Sequence, residues 1–337
     1  MDWSFLDEAL GYFVLYMGPS LREIPFRTEP PVGTRVRYGH DSRYRLEGNR
    51  VVFELLSEEE IAPLTEYRKD LERIGSEIDL ASLPRNEQLA FWLNLHNVAI
   101  IEQIGLAYPV RQPRDILIDG VPLDEARFIS VSGVAMSPHD IRTKIVYPNW
   151  SDPRVIYGFF RGDIGSPTLQ ELAFTGANVD FLLDLSASEF VNSLRGVERR
   201  GDALKISRIY EEARGFYFPG EFEGLKSHLR KLAGDEVAPI LDRTSRIDAD
   251  IYEYDITDLS NVDIMPARLE PCGLSFGLPP IPGTILNPEC THRPIHVPLL
   301  LQYYAEERAR KVSKLIRTDR YGRVYVFPEG EEPTEVE

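Results

Sequence analysis

Apolar positions along the chain change their spacing several times, and each change marks an element. The opening MDWSFLDEALGYFVLYMG interleaves apolar residues with Asp2, Asp7 and Glu8, the pattern of an amphipathic helix. In RYRLEGNRVVFEL the apolar residues alternate around Gly48 and Asn49, which predicts a hairpin. Ser57 followed by Glu58, Glu59 and Glu60 makes an N-cap with acids on the first turn and predicts a helix through about Ile74. Next, EQLAFWLNLHNVAIIEQIG is apolar nearly all round, so it is expected to be the central buried helix, ended by Gly105. At about 100° per residue, Glu87, Asn94 and Asn97 fall within a stripe roughly 80° wide, with His96 pointing away from Glu87. A buried helix has to satisfy its polar groups, so this seam is the first candidate site.

Downstream, ILIDGVPLD predicts a hairpin around Asp119-Gly120, and Ser137-Pro138 the start of a short helix near His139-Asp140. The run VIYGFF predicts a buried strand, leading into the loop RGDIGSP. Helical patterns return in TLQELAFTG, in SASEFVNSLRG and from Glu223 to Ala233. Residues 268–298 are rich in Pro and Gly, and VPLLLQYYAEERARKVSKLI then predicts an amphipathic helix with a basic end, whose stripe packs on its own domain or docks a partner. A hairpin in RTDRYGRVYVFP and a disordered acidic tail, EGEEPTEVE, close the chain. The expected fold class is α+β: a helix-rich domain around a buried central helix, with a small, mainly antiparallel sheet. The expected organisation is an N-terminal helix and hairpin region (1–60), a main domain (61–262), a Pro/Gly-rich segment with helix and hairpin (263–328) and the tail (329–337).

Composition narrows the function. With 43% apolar and 27% charged residues the chain is that of a globular protein. Its 38 Lys+Arg against 54 Asp+Glu, a net charge of −16, disfavours nucleic acid and anionic membrane surfaces. No run approaches the roughly 18 apolar residues of a membrane span. Asp2, Asp7 and Glu8 stand where a secretory signal carries basic residues, so a cytoplasmic location is expected; if a signal was removed and Met1 added, the location is periplasmic or secreted. No cofactor is expected, and the partner is an unidentified protein or small molecule. The two cysteines, Cys272 and Cys290, allow a local disulfide or two free thiols, and together with His292 and His296 they are candidate ligands of a structural metal. His228, beside Lys226 and Arg230, has the setting of a solvated residue.

Several blocks occur in one order. Glu87 with Leu89-Ala90-Phe91-Trp92, then Asn94 and Asn97, resembles the Glu-x-Leu-Ala-Phe-Trp-Ile-Asn-x-x-Asn helix of domain-of-unknown-function family 547. Ser137, Asp140 and Ile141 resemble its Ser-Leu-x-Asp-Ile-Glu-His block, and Asp152-Pro153-Arg154, Gly162 and Pro167 its Asp-Pro-Arg-x-His-Phe-Ala-Leu-x-Cys-Gly run and the Pro after it. Ile206-Ser207-Arg208-Ile209-Tyr210 and Tyr254-Asp255 are similar to later blocks, so the resemblance covers roughly residues 65 to 260. It implies a fold compatible with a papain-like or transglutaminase-like arrangement. In the same alignment the family's strand His is Ile156, the Cys before Gly is Arg161, the later Cys is Ser166, and the Glu-His pair is Arg142-Thr143. Thiol catalysis needs a thiolate and a base beside it, and Arg161 is neither.

Three functional expectations follow. The first is a non-catalytic binding or scaffolding protein whose pocket lies between Glu87, Asn94 and Asn97 and the loop of Arg161, whose forked donors suit a carboxylate or phosphate. The bland alternative makes the seam a set of ties to neighbouring loops, and Arg161 with Asp163 part of a surface turn. The second is a hydrolase or acyl transferase rebuilt on Ser166, with His139 and Asp163 or Glu87, although Gly165-Ser166-Pro167 lacks the Gly-x-Ser-x-Gly elbow. The third is an extracytoplasmic protein stabilised at Cys272 and Cys290.

Overall fold

In the computed structural model, residues 1–24, 42–53, 56–218, 220 and 222–259 are described. The expected helix from Val297, the hairpin after it, the tail and Cys272, Cys290, His292 and His296 lie outside them.

The chain opens with α1 (Ser4–Phe13), which runs into β1 (Val14–Leu15); β2 (Arg50–Val51) pairs with β1 antiparallel. The helix α2 (Glu58–Glu77) starts as its acids predict, with the Ser57 N–H donating to the Glu60 carboxylate at 3.0 Å. The helix α3 (Arg85–Ala107) has buried residues on every side, including Phe91, Leu93, Leu95, Val98 and Ile101 at 0% exposure. It continues two residues past Gly105. That glycine serves the packing of α2 on α3 instead of ending the helix: a Cβ on it would lie 3.1 Å from Ile61.

Two hairpins follow, β3 (Leu117–Ile118) with β4 (Val121–Pro122) and β5 (Ile129–Val131) with β6 (Val134–Met136). Asp119 and Gly120 form the first turn, both at positive φ. Next comes an unbroken helical stretch of three parts: α4 (Pro138–Asp140), a π-helical turn (Ile141–Val146) and α5 (Tyr147–Asn149). Ser137 caps it by accepting from the Asp140 N–H at 3.0 Å. The rest comprises α6 (Val179–Val191), β7 (Val197–Arg200), β8 (Ala203–Ser207), α7 (Ile209–Tyr217), α8 (Phe222–Leu232), α9 (Ala238–Asp242) and β9 (Arg246–Ile251). The strand order β7-β8-β9 makes a three-stranded sheet in which β8 and β9 are parallel; the other pairs are antiparallel. The fold class is α+β, with small sheets. No described helix is long and apolar enough to cross a membrane.

Four local expectations are corrected. VIYGFF is buried as expected, but it is no strand: Pro153–Gly158 forms a tight 3-10 turn, started by Pro153 and by Asp152 accepting from the Arg154 N–H at 2.9 Å. TLQELAFTG is not helical, because its backbone groups bond to side chains of other elements, Ala173 N–H to Asp7 at 2.7 Å and Phe174 N–H to Asn94 at 3.0 Å. Gly48 and Asn49 do not turn a hairpin. Glu47 instead accepts from the N–H groups of Leu194 and Arg195, and buried Arg50 donates to the carbonyls of Tyr44 and Arg45, which turns Arg50–Val51 toward β1. His228 is buried and hydrogen bonded to the Tyr157 hydroxyl at 2.9 Å.

Candidate functional site

The two asparagines of α3 act as amide clasps. Asn94 Nδ2 donates to the Phe174 carbonyl at 2.7 Å, and its Oδ1 accepts from the Phe174 N–H at 3.0 Å. Asn97 does the same across a gap in the next segment, donating to the Gly158 carbonyl and accepting from the Phe160 N–H, both at 3.0 Å. Each clasp replaces the neighbour that a strand would supply, so the apolar runs 153–160 and 169–174 are held without pairing into a sheet. Both clasps therefore fit the tie reading of the seam. Glu87 lies farther up the helix against Gly176, where a Cβ would come within 2.5 Å of its carboxylate. The cleft beside Asn94 and Asn97 is mostly apolar, bounded by Leu6, Leu10, Val98 and Phe174 with Gln170 as a further polar residue, and has room for about one water molecule. Neither Glu87 nor Arg161 lines it.

Arg161 lies elsewhere, in a buried ionic cluster. Its Nη1 and Nη2 donate to the two oxygens of Glu212, on α7, at 3.1 and 2.8 Å. Arg142, from the π-helical turn and 0% exposed, donates Nε to the same carboxylate at 2.9 Å and makes a two-pronged pair with Asp124 at 2.7 Å for each prong. Tyr147, at the end of the π turn, donates its hydroxyl to Glu212 at 3.2 Å. In an α-helix, residues five apart are separated by roughly 140° around the axis. Here the Tyr147 N–H bonds to the Arg142 carbonyl, closing the turn on five residues and aiming both side chains at Glu212.

His96 completes the inner wall. A guanidinium offers only donors, so the 3.1 Å contact from Arg142 Nη1 makes Nε2 the acceptor. The proton then sits on Nδ1, which donates to Asn97 Oδ1 at 3.0 Å. Burial and the adjacent Arg142 charge push this imidazole down to about 3, so it is neutral at physiological pH. Burial would raise the Glu212 carboxyl, but the Arg161 and Arg142 guanidiniums outweigh it and pull it down to about 2. Burial lifts Asp163 to about 6, against the attraction of Arg161. Two guanidiniums thus face two carboxylates in Arg142, Arg161, Asp124 and Glu212. The cluster opens to solvent at Asp124, whose side chain is 43% exposed.

Within the proposed nucleophile set Ser166 meets Asp163, but no hydrogen bond joins it to His139 or Glu87. Buried Ser166 donates its hydroxyl to the Asp163 carbonyl at 2.9 Å and accepts from the Arg161 N–H at 3.4 Å, which closes the turn after Gly162. His139 turns outward, with Nδ1 3.7 Å from the Glu125 carboxylate. The loop 161–166 is fixed in turn by Thr257 N–H to the Gly162 carbonyl at 2.8 Å and by Ile164 N–H to the Asp255 carbonyl at 2.9 Å. Gly162 has φ +86° and lies against Ile104, so no other residue fits there without displacing the core. Among the described residues, no group of three or more His, Cys, Asp or Glu is placed to hold a metal ion.

Sequence reasoning missed His96, Asp124, Tyr147 and Glu212 as members of the site. One signal existed: Arg142 and Arg161 lie in segments expected to be enclosed, and two enclosed cations demand two carboxylates. Nothing in a single sequence says which.

Residues 80–191 match the model of a family described as a protein of unknown function, DUF547. That stretch runs from just before α3 to the end of α6 and includes Asn94, Asn97, Asp124, Arg142 and Arg161, while Glu212 lies beyond it. No curated protein and no solved structure matches the chain.

Proposed function

We propose that this chain is a non-catalytic binding or scaffolding protein that keeps the architecture of its DUF547 stretch and has exchanged a reactive site for an ionic lock. The carrying observation is the Glu212 carboxylate, which holds Arg161 by both Nη atoms and Arg142 by Nε and Nη2. Arg161 stands where the family pattern has Cys, and Arg142 where it has the Glu of Glu-His. A guanidinium stays charged at any physiological pH and is neither nucleophile nor base. Its capacity for an incoming carboxylate or phosphate is already taken up by Glu212, so the reading favours binding through outer surfaces over binding at Arg161.

The rebuilt hydrolase has less support. An activated serine needs an imidazole or comparable base in hydrogen-bond reach, and the Ser166 hydroxyl is committed to a backbone carbonyl. The deciding experiment is labelling of the full chain with a fluorophosphonate probe. No labelling above that of heat-denatured protein is expected. Stoichiometric labelling that disappears in Ser166→Ala would overturn the proposal.

A further inference from the structure

The outward face of α6 carries large apolar side chains. Phe181 is 66% exposed and Leu185, one turn later, 39%. Leu172, 50% exposed, belongs to the segment that Gln170 fastens to α6 through its bond to Ser186 at 2.9 Å. Large apolar side chains set together in water commonly mark a contact site. Acids flank these: Asp180 and Asp184 are 64% and 61% exposed, and both share Arg154 with Asp152. One guanidinium among three carboxylates leaves the face acidic.

The chain itself carries a complementary segment. At 100° per residue, a helix over 297–316 would gather Val297, Leu301, Tyr304, Val312 and Leu315 within a stripe roughly 80° wide, with Lys311 at its edge, Glu307 and Lys314 farther round the same flank, and Arg310 on the far side. Arg308 falls inside that stripe. A cation there suits a surface that is apolar but edged with carboxylates, since its stem lies on apolar groups while its head reaches an acid. Reach is not limiting. Leu259 ends the described residues against Met17, Leu46 and Val52, and residues 260–296 can extend on the order of 120 Å at about 3.3 Å each. A domain of this size has a radius of gyration of roughly 18 Å.

We infer that the Phe181–Leu185 face of α6 is the docking site of the chain's own segment 297–316. The docked segment covers the apolar pair and sets Arg308 and Lys311 against Asp180 and Asp184.

The test uses the full chain with a photoreactive benzoylphenylalanine at position 181. Irradiation followed by peptide mass spectrometry is expected to join position 181 to residues 297–316 within a monomer. Cross-links to any other segment, cross-links found only in a dimer, or none at all would overturn the inference, the dimer assigning the face to a second copy. Hydrogen exchange supplies an independent arm. Amides of 297–316 are expected to exchange at least tenfold faster in Phe181→Ser/Leu185→Ser than in the unaltered chain, with α6 still protected. Equal exchange would also overturn it.

Discussion

Arg142→Met removes the hub of the ionic cluster while keeping much of the side-chain volume. Arg142 makes two bonds to Asp124, two to Glu212 and one to His96, and none of its surface is exposed. Deleting one partner of a buried ion pair typically costs about 3–5 kcal/mol, because the other partner is left buried and uncompensated. Two features lower that figure here. Asp124 is 43% exposed and regains water, and Glu212 keeps Arg161. The lost donor to His96 Nε2 adds about 1 kcal/mol. A loss of about 3 kcal/mol at pH 7 is therefore expected, or a urea midpoint about 1 M lower for a slope of ~3 kcal/mol/M. The pH dependence is the sharper readout. Glu212 titrates at about 2 when folded, against roughly 4.3 when unfolded, so its pairing stabilises fully above that unfolded value and fades as pH falls toward 2. The deficit of Arg142→Met should accordingly be largest above about pH 4.5 and shrink toward pH 2. Arg142→Met/Asp124→Asn, which leaves one balanced pair, should recover only a minor part of it, since Asp124 regains water on its own. A loss below about 1 kcal/mol at pH 7, or a deficit unchanged at pH 2, would refute the reasoning.

Other consequences are measurable by the same denaturation. Asp163 is lifted by burial to about 6 from an unfolded value of roughly 3.9, so the folded state holds its proton more tightly and loses stability as pH rises between these values. Asp163→Asn should thus gain about 1–2 kcal/mol on the parent at pH 7.5 and little at pH 4; equal effects at both would count against a desolvated carboxyl. Asn94→Ala opens the clasp on Phe174 and leaves a buried N–H and carbonyl without partners, for a loss of about 2–4 kcal/mol. A value under 1 kcal/mol would show that the 169–174 segment is held by its apolar contacts alone.

Where a residue's own neighbours decide its conformation, the chain was readable in advance. The α2 start at Ser57, the Asp119-Gly120 turn and the Ser137-Pro138 cap all depend on contacts within a few positions, and the burial of α3 shows in its own unbroken apolar run. The α+β class follows from them. VIYGFF and TLQELAFTG misled for one shared reason: apolar spacing reports burial faithfully, but the partner of the backbone was an asparagine on α3, tens of residues away. The Gly48-Asn49 hairpin failed through Glu47 reaching the distant backbone of Leu194 and Arg195, and through Arg50 folding back on the carbonyls of Tyr44 and Arg45. At the site, position 161 and the seam were legible as places of interest. The joining of Arg161 to Arg142 was not, because Glu212 arrives from α7 and Arg142 swings inward only by virtue of a helical irregularity that no local pattern announces.

That irregularity has a consequence for how such a site can change over time. Because the π turn closes on five residues, the meeting of Arg142 and Tyr147 at Glu212 depends on the number of residues between them more than on what those residues are. Losing one residue from the turn would restore ordinary α-helical bonding and leave positions 142 and 147 four apart, with every contact re-registered. The turn is thus tolerant of changed letters between 142 and 147 and intolerant of changed length, since a one-residue deletion there would dismantle the cluster without touching any of its members.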